Sequence, residues 1–246
     1  MHIIDMTDTI KIHYMTKPEL LKPIFNNFFN NIPKEYQYMY FNNNFEDNIL
    51  QNIPNNIILF NEKNIKKANF LMNKYLSAEF NKNNIKNDWT LCITINNFMF
   101  CLPFTLQNII FLPYDYVITC ITSDNNNKYT TTLIHEKLHI YQRYNINTWN
   151  DNIQKNSNWK LLNNNYFYDN SNIIYNPDTS YLNNQYGYKY YNDTYVGYLN
   201  KDLKPEWKNI KTNKICNEDF LPKYEHPYEE LAYMISNDII NKYIKF

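Results

Sequence analysis

Residues 130–144, TTTLIHEKLHIYQRY, decide how this chain is read. Within them His135, Glu136 and His139 form H-E-x-x-H. Leu133, Ile134, Leu138, Ile140 and Tyr141 supply an apolar surface, and Thr130, Thr131 or Thr132 can act as a cap, so the segment predicts a helix. On a helix, positions i and i+4 share one face about a turn apart. Two imidazoles so placed can hold one Zn²⁺ ion, and the carboxylate beside the first can reach a water at the metal.

A zinc ion needs at least one more protein ligand. The compact solution, H-E-x-x-H-x-x-G-x-x-H, fails here because Gln142 stands at its Gly and Asn145 at its third His. The other common solution takes a Glu from a later helix, and His226-Pro227-Tyr228-Glu229-Glu230-Leu231-Ala232 offers two. Glu229 shares a helical face with Ala232, Tyr233 and Ser236, whereas Glu230 shares one with Met234, Asn237 and Asn241. Alanine is rare in the chain, and a small residue one turn after Glu229 permits close helix approach. Glu229 is therefore the expected third ligand, with Glu230 as the alternative. Arg143 reads either as a partner for a nearby carboxylate or as a solvated helix-end cation.

Composition bounds the rest. The 246 residues suit one large domain or two small ones. Lys and Arg number 24 and so do Asp and Glu, and no basic run exceeds a pair, so neither nucleic acid nor an anionic membrane is an expected partner. The only glycines, Gly187 and Gly197, are too few for a dinucleotide loop or a P-loop. Cys92, Cys101, Cys120 and Cys216 lack C-x-x-C spacing and read as buried, reduced thiols. With no signal-peptide pattern and no apolar run near the roughly 20 residues of a membrane span, a soluble cytoplasmic protein is expected. Asn runs at 42–44, 125–127 and 163–165 read as loop filler.

Periodicity predicts a strand over 9–14 and a helix opening at Lys17-Pro18. A short buried strand or turn over 57–60 comes next, then an amphipathic helix over 62–80 and a polar break over 81–88. Residues 89–95 and 98–102 read as a hairpin about Asn96-Asn97. Further strand-like runs occupy 108–112 and 116–121, the second equally compatible with a helix. Residues 145–226 show weak periodicity, with a Tyr cluster over 181–198 read as core and loop packing. A terminal helix is expected over 227–246.

The run from Leu133 to Arg143, followed far downstream by His226-Pro227-Tyr228-Glu229-Glu230-Leu231-Ala232, resembles zincin-type metallopeptidases of the gluzincin kind. It is most similar to small uncharacterised H-E-x-x-H proteins of large DNA viruses and microbes, over roughly residues 90–240. The resemblance implies an α+β, zincin-like fold, with a small mostly antiparallel sheet packed on the motif helix and a C-terminal helical part. It divides the chain into a mainly helical region 1–87 and a metallopeptidase domain 88–246, or one continuous domain. In that family the Glu of an E-x-x-A pattern is the third ligand, matching Glu229. The strand 108–112 resembles the one that pairs with extended substrate. Asn176-Pro177-Asp178-Thr179 resembles a stretch of such proteins with no assigned role. The implied activity is zinc-dependent hydrolysis of peptide or protein substrates, with Glu136 as general base and His135, His139 and Glu229 on the metal. An oxyanion donor is expected from His226 or from a Tyr of 181–198. The alternative is an inactive zincin-fold protein that holds zinc structurally and binds a protein partner.

Overall fold

The computed structural model describes residues 10–30, 45–76, 87–95, 98–162, 176–180, 186–200, 202–216 and 218–244. Outside these lie His2, the Asn runs 42–44 and 163–165, the end of the helix expected over 62–80, most of the polar break, the Asn96-Asn97 turn and residues 181–185.

The chain opens with β1 (Lys11–Tyr14), α1 (Pro18–Asn30), a 3₁₀ turn (Phe45–Asn48) and α2 (Asn55–Tyr75). Next come β2 (Asp88–Thr94), a second 3₁₀ turn (Phe98–Cys101), β3 (Phe104–Leu106) and β4 (Ile109–Pro113). Helices α3 (Tyr114–Thr122), α4 (Asn126–Tyr144) and α5 (Ile146–Asn156) follow. The remainder is β5 (Trp159–Leu161), the single turn α6 (Pro177–Ser180), β6 (Tyr186–Tyr190), β7 (Asp193–Leu199), β8 (Pro205–Asn209), β9 (Ile215–Cys216) and α7 (Pro227–Tyr243). The fold is thus mixed α and β, with a four-stranded sheet ordered β1-β2-β4-β3 and a five-stranded sheet ordered β5 to β9.

The first sheet is covered on both faces. Leu91, Ile93, Ile110 and Leu112 point into a core shared with α2, α3, α4 and α7. Cys92 and Phe111 point the other way, against Phe25 and Phe28 of α1 and the turn residue Phe98. Burial on both faces explains why β4 reads as an unbroken apolar run. It also fits the pairing, since β2 lies parallel to both β1 and β4.

Two expectations about this region fail. The sheet beside the motif helix is mostly parallel, not mostly antiparallel; the antiparallel sheet is the second one. The hairpin over 89–102 does not form. Both edges of β2 are taken, and the second half becomes a turn in which Met99, Phe100 and Cys101 have φ of 48°, 62° and 56°. Its Phe98 and Met99 are buried by packing instead of by strand pairing. The hairpin that does form joins β3 to β4 through Gln107-Asn108, with Gln107 at φ 53°.

Residues 57–60 are not a strand but the first turns of α2. The buried face of this helix carries Asn61, Asn64 and Asn69 among Ile57, Ile65, Ala68 and Met72. Tyr129 donates to Asn61, Thr130 to Asn64 at 3.0 Å, and the Trp89 indole to Asn69 at 3.3 Å. Residues 116–121 are helical. Residues 145–226 hold more regular structure than their pattern suggests: α5 and the whole second sheet. The terminal helix spans Pro227–Tyr243. Cys92 and Cys120 are buried as expected, but Cys101 is exposed, and none of the four cysteines is in a disulfide. Among the described residues no helix is long and apolar enough to cross a membrane.

Candidate metal centre

Helix α4 starts earlier than Thr130. Asn125 caps it, its side chain accepting the Lys128 N–H at 3.3 Å. Thr130, Thr131 and Thr132 instead bond back to carbonyls four residues earlier. From Leu133 to Gln142 every residue is buried, so α4 is the central helix of the fold. Lys137 points away from the two histidines, donating to the Asp88 carbonyl, with its ammonium 4.9 Å from the Trp89 ring centre.

Helix α7 packs along α4. His226 caps it, its Nδ1 accepting the Tyr228 N–H at 3.2 Å. Ala232 is fully buried in the shared core. This brings Glu229 onto the histidine pair. His135 Nε2 and His139 Nε2 are 3.0 Å apart, and Glu229 Oε2 and Oε1 lie 3.4 and 3.3 Å from them respectively. The three buried side chains can direct one ligand atom each at a common point. A tetrahedral zinc with bonds of about 2.0–2.1 Å needs ligand atoms about 3.3 Å apart, and each histidine has a Glu229 oxygen at about that distance, a different oxygen for each. Glu230 is not part of this cluster; its Oε2 accepts from the Trp159 indole at 2.7 Å.

The tautomer of His139 follows from its neighbour. Gln142 donates through Nε2 to the Tyr228 carbonyl at 3.1 Å, which turns Oε1 toward His139 Nδ1 at 2.9 Å. Nδ1 therefore carries the proton and Nε2 presents a lone pair to the cluster. The residue that breaks the compact zinc pattern thus orients one of the candidate ligands.

The surroundings are strongly acidic. Glu136, Asp178, Glu225 and Glu229 are all buried. Burial and the charges of Asp178 and Glu229 push the Glu136 carboxyl well above its usual range. Burial, then Glu229, raises Glu225 to about 7. Burial alone would raise Glu229 too, but His139 and His135 hold it well below the carboxylate range. Burial opposes a charged His139, yet Glu229 and Asp178 raise its pKa. A divalent cation would balance the charge of such a donor set. Glu136 Oε2 and His135 Nδ1 are buried without a hydrogen-bond partner among the described residues.

His135, Glu136 and Glu229 open onto a cleft of about 1070 Å³. The expected oxyanion donors are not on its wall. His226 packs against Tyr186 and Tyr228, and none of the described Tyr residues of 181–198 lines the cleft. Tyr224 and Tyr233 do, stacked at 4.5 Å, with Tyr233 4.2 Å from the His135 ring. Tyr233 shares a helical face with Glu229, and that spacing alone could have singled it out.

The substrate-pairing strand expected at 108–112 is also displaced. It forms β4, which is paired on both sides by β2 and β3. The outer edge belongs to β3, and its Thr105 is already engaged. Thr105 N–H donates to Asp178 Oδ1 at 2.7 Å, and Arg143 donates to the Thr105 carbonyl at 3.0 Å. Arg143 also binds the Gln107 carbonyl at 3.0 Å and lies 3.5 Å from Asp178, so it is a carboxylate partner, not a solvated cation. Sequence reasoning missed Glu225, Gln142, Asn176 and Tyr233. Compared with known proteins, the chain matches no family model, no curated protein and no solved structure.

Proposed function

We propose that the chain is a zinc-dependent peptidase of the zincin kind. The observation that carries this reading is the buried Glu136 Oε2, without a hydrogen-bond partner among the described residues, beside three convergent ligand groups. A purely structural site needs no such carboxylate. Zinc, when bound, supplies Lewis acidity toward the scissile carbonyl. His135, His139 and Glu229 hold it. Glu136 takes a proton from the attacking water and returns it to the leaving amine. Partial desolvation and the charges of Glu229 and Glu136 raise the Tyr233 hydroxyl above its usual range, so it stays protonated and is available to donate to the oxyanion. The substrate is a peptide or protein segment lying in the cleft. Four cysteines outside any disulfide support a reducing, cytoplasmic setting.

One observation favours a second reading, an inactive zincin-like protein that binds a partner. The sheet edge an extended peptide would use is closed at Thr105 by Asp178 and Arg143. Metal analysis and Glu136→Gln separate the readings. Wild type is expected to carry about one zinc per chain and to cleave members of a peptide library. Glu136→Gln keeps the zinc and loses about 10²–10⁴-fold in turnover. No zinc in protein purified without chelator would refute both readings. Zinc without cleavage would select the second.

A further inference from the structure

The Asn176-Pro177-Asp178-Thr179 stretch reaches the metal centre through Asn176, the residue on which its turn is built. Asn176 Oδ1 accepts the Asp178 N–H at 2.9 Å. With the oxygen so committed, the amide nitrogen must be the end that faces the acidic pair. It donates to Glu229 Oε1 at 2.8 Å and to Glu225 Oε1 at 3.0 Å.

We infer that Asn176 is a positioning residue for the third metal ligand, fixing the plane of the Glu229 carboxylate and holding Glu225 beside it. This rests on the zinc reading above. A carboxylate turns easily about its last torsion, where preferences are broad. Glu229 has one oxygen toward each histidine nitrogen, and the donor on Oε1 selects that orientation. Without the amide, two buried carboxylates would face each other with no donor between them. The Asn176 loop is itself anchored. Asp178 takes the Thr105 N–H and lies 3.5 Å from Arg143, a residue of the motif helix. Arg143, Asp178, Asn176 and Glu229 therefore form one connected path from α4 to its distant third ligand.

Asn176→Ala removes the turn acceptor and both donors. Asn176→Ser keeps a hydroxyl that can accept the Asp178 N–H but is too short to reach Glu229. Zinc affinity is read by competition with a chromophoric chelator, and ligand geometry by the visible absorption of the Co²⁺-substituted protein. Both variants are expected to bind zinc about 10–100-fold more weakly and to show an altered cobalt spectrum. If the alanine variant fails to fold, the serine variant carries the test. Wild-type affinity and spectrum in the serine variant would assign Asn176 to the turn alone and overturn the inference. A wild-type chain that takes up no zinc would instead refute the parent reading, before any variant is made.

Discussion

Substituting Gly197 tests how closely the site depends on the second sheet. Neither glycine has a positive φ, so room for a neighbour, not backbone freedom, explains both. A Cβ added at Gly197 on β7 would lie 2.6 Å from the Glu225 carbonyl oxygen, 2.8 Å from its Cα and 3.1 Å from its carbonyl carbon. All three are backbone atoms and cannot turn aside. Non-bonded carbons rest about 3.5–4.0 Å apart, so Glu225 must retreat by about 0.7 Å or more. Overpacking of this kind costs about 1–3 kcal/mol. The stiffer unfolded chain of an alanine variant offsets about 0.4–1 kcal/mol. Gly197→Ala is therefore expected to destabilise by about 1–2 kcal/mol in urea unfolding. The displaced backbone carries Glu225 and leads into α7, so zinc affinity should fall as well. Gly187→Ala is the control. Its added Cβ would meet Thr194 Cγ2 at 2.6 Å and the Leu162 methyls at 3.1 and 3.2 Å, all side-chain ends that can move. Its expected effect is near zero. A Gly197→Ala protein as stable as Gly187→Ala, with unchanged zinc affinity, would refute the close packing of β7 on Glu225.

Three further outcomes follow from the same geometry. Chelation should lower the unfolding midpoint by about 5–10 °C when zinc had been about 100-fold above its Kd, because that linkage is worth about 2.7 kcal/mol; an unmoved midpoint would count against a bound metal. Gln142→Ala should cost about tenfold or more in zinc affinity by freeing the His139 ring, and unchanged affinity would show that the Gln142 contact orients nothing. For Lys137, burial pulls the ammonium down to about 7 from 10.5, so the unfolded chain binds the extra proton between those values. Wild-type stability should therefore rise with pH from 7 toward 10.5, and Lys137→Met should flatten that rise in pH-dependent urea unfolding.

The parts of the fold that were legible share one property: their apolar residues recur with the period of the element they form. That holds for α4, α7 and β1, and it is why His135, His139 and Glu229 fall on helices in the sequence alone. The sequence starts helix α2 too late, at 62, because Asn61 on its inner face separates the apolar run 57–60 from the rest, and Asn64 and Asn69 lie on that face as well. An asparagine bonded to Tyr129, Thr130 or Trp89 is satisfied in a core, yet in sequence it looks like solvent-facing polarity. The second sheet hid for a related reason. Tyr186, Tyr188 and Tyr190 alternate with Gly187 and Lys189 at the period of a strand, but tyrosine is so common here that the alternation carried little contrast.

The residues around the ligands were illegible for a different reason. Gln142 enters the sequence argument only as the absence of glycine, and Asn176 only within a stretch with no assigned role. What each does depends on a partner far along the chain: Gln142 on the Tyr228 carbonyl and Asn176 on Glu225 and Glu229. A carboxamide has no preferred face, and only the group holding its other end decides whether it shows oxygen or nitrogen to a ligand. In Gln142 the oxygen faces His139 because the nitrogen is engaged. In Asn176 the nitrogen faces Glu229 because the oxygen is engaged. The motif specifies which atoms meet, but the 89 residues between His139 and Glu229 supply Asn176, Asp178 and Gly197, which hold those atoms in place. That interval is therefore part of the site's construction.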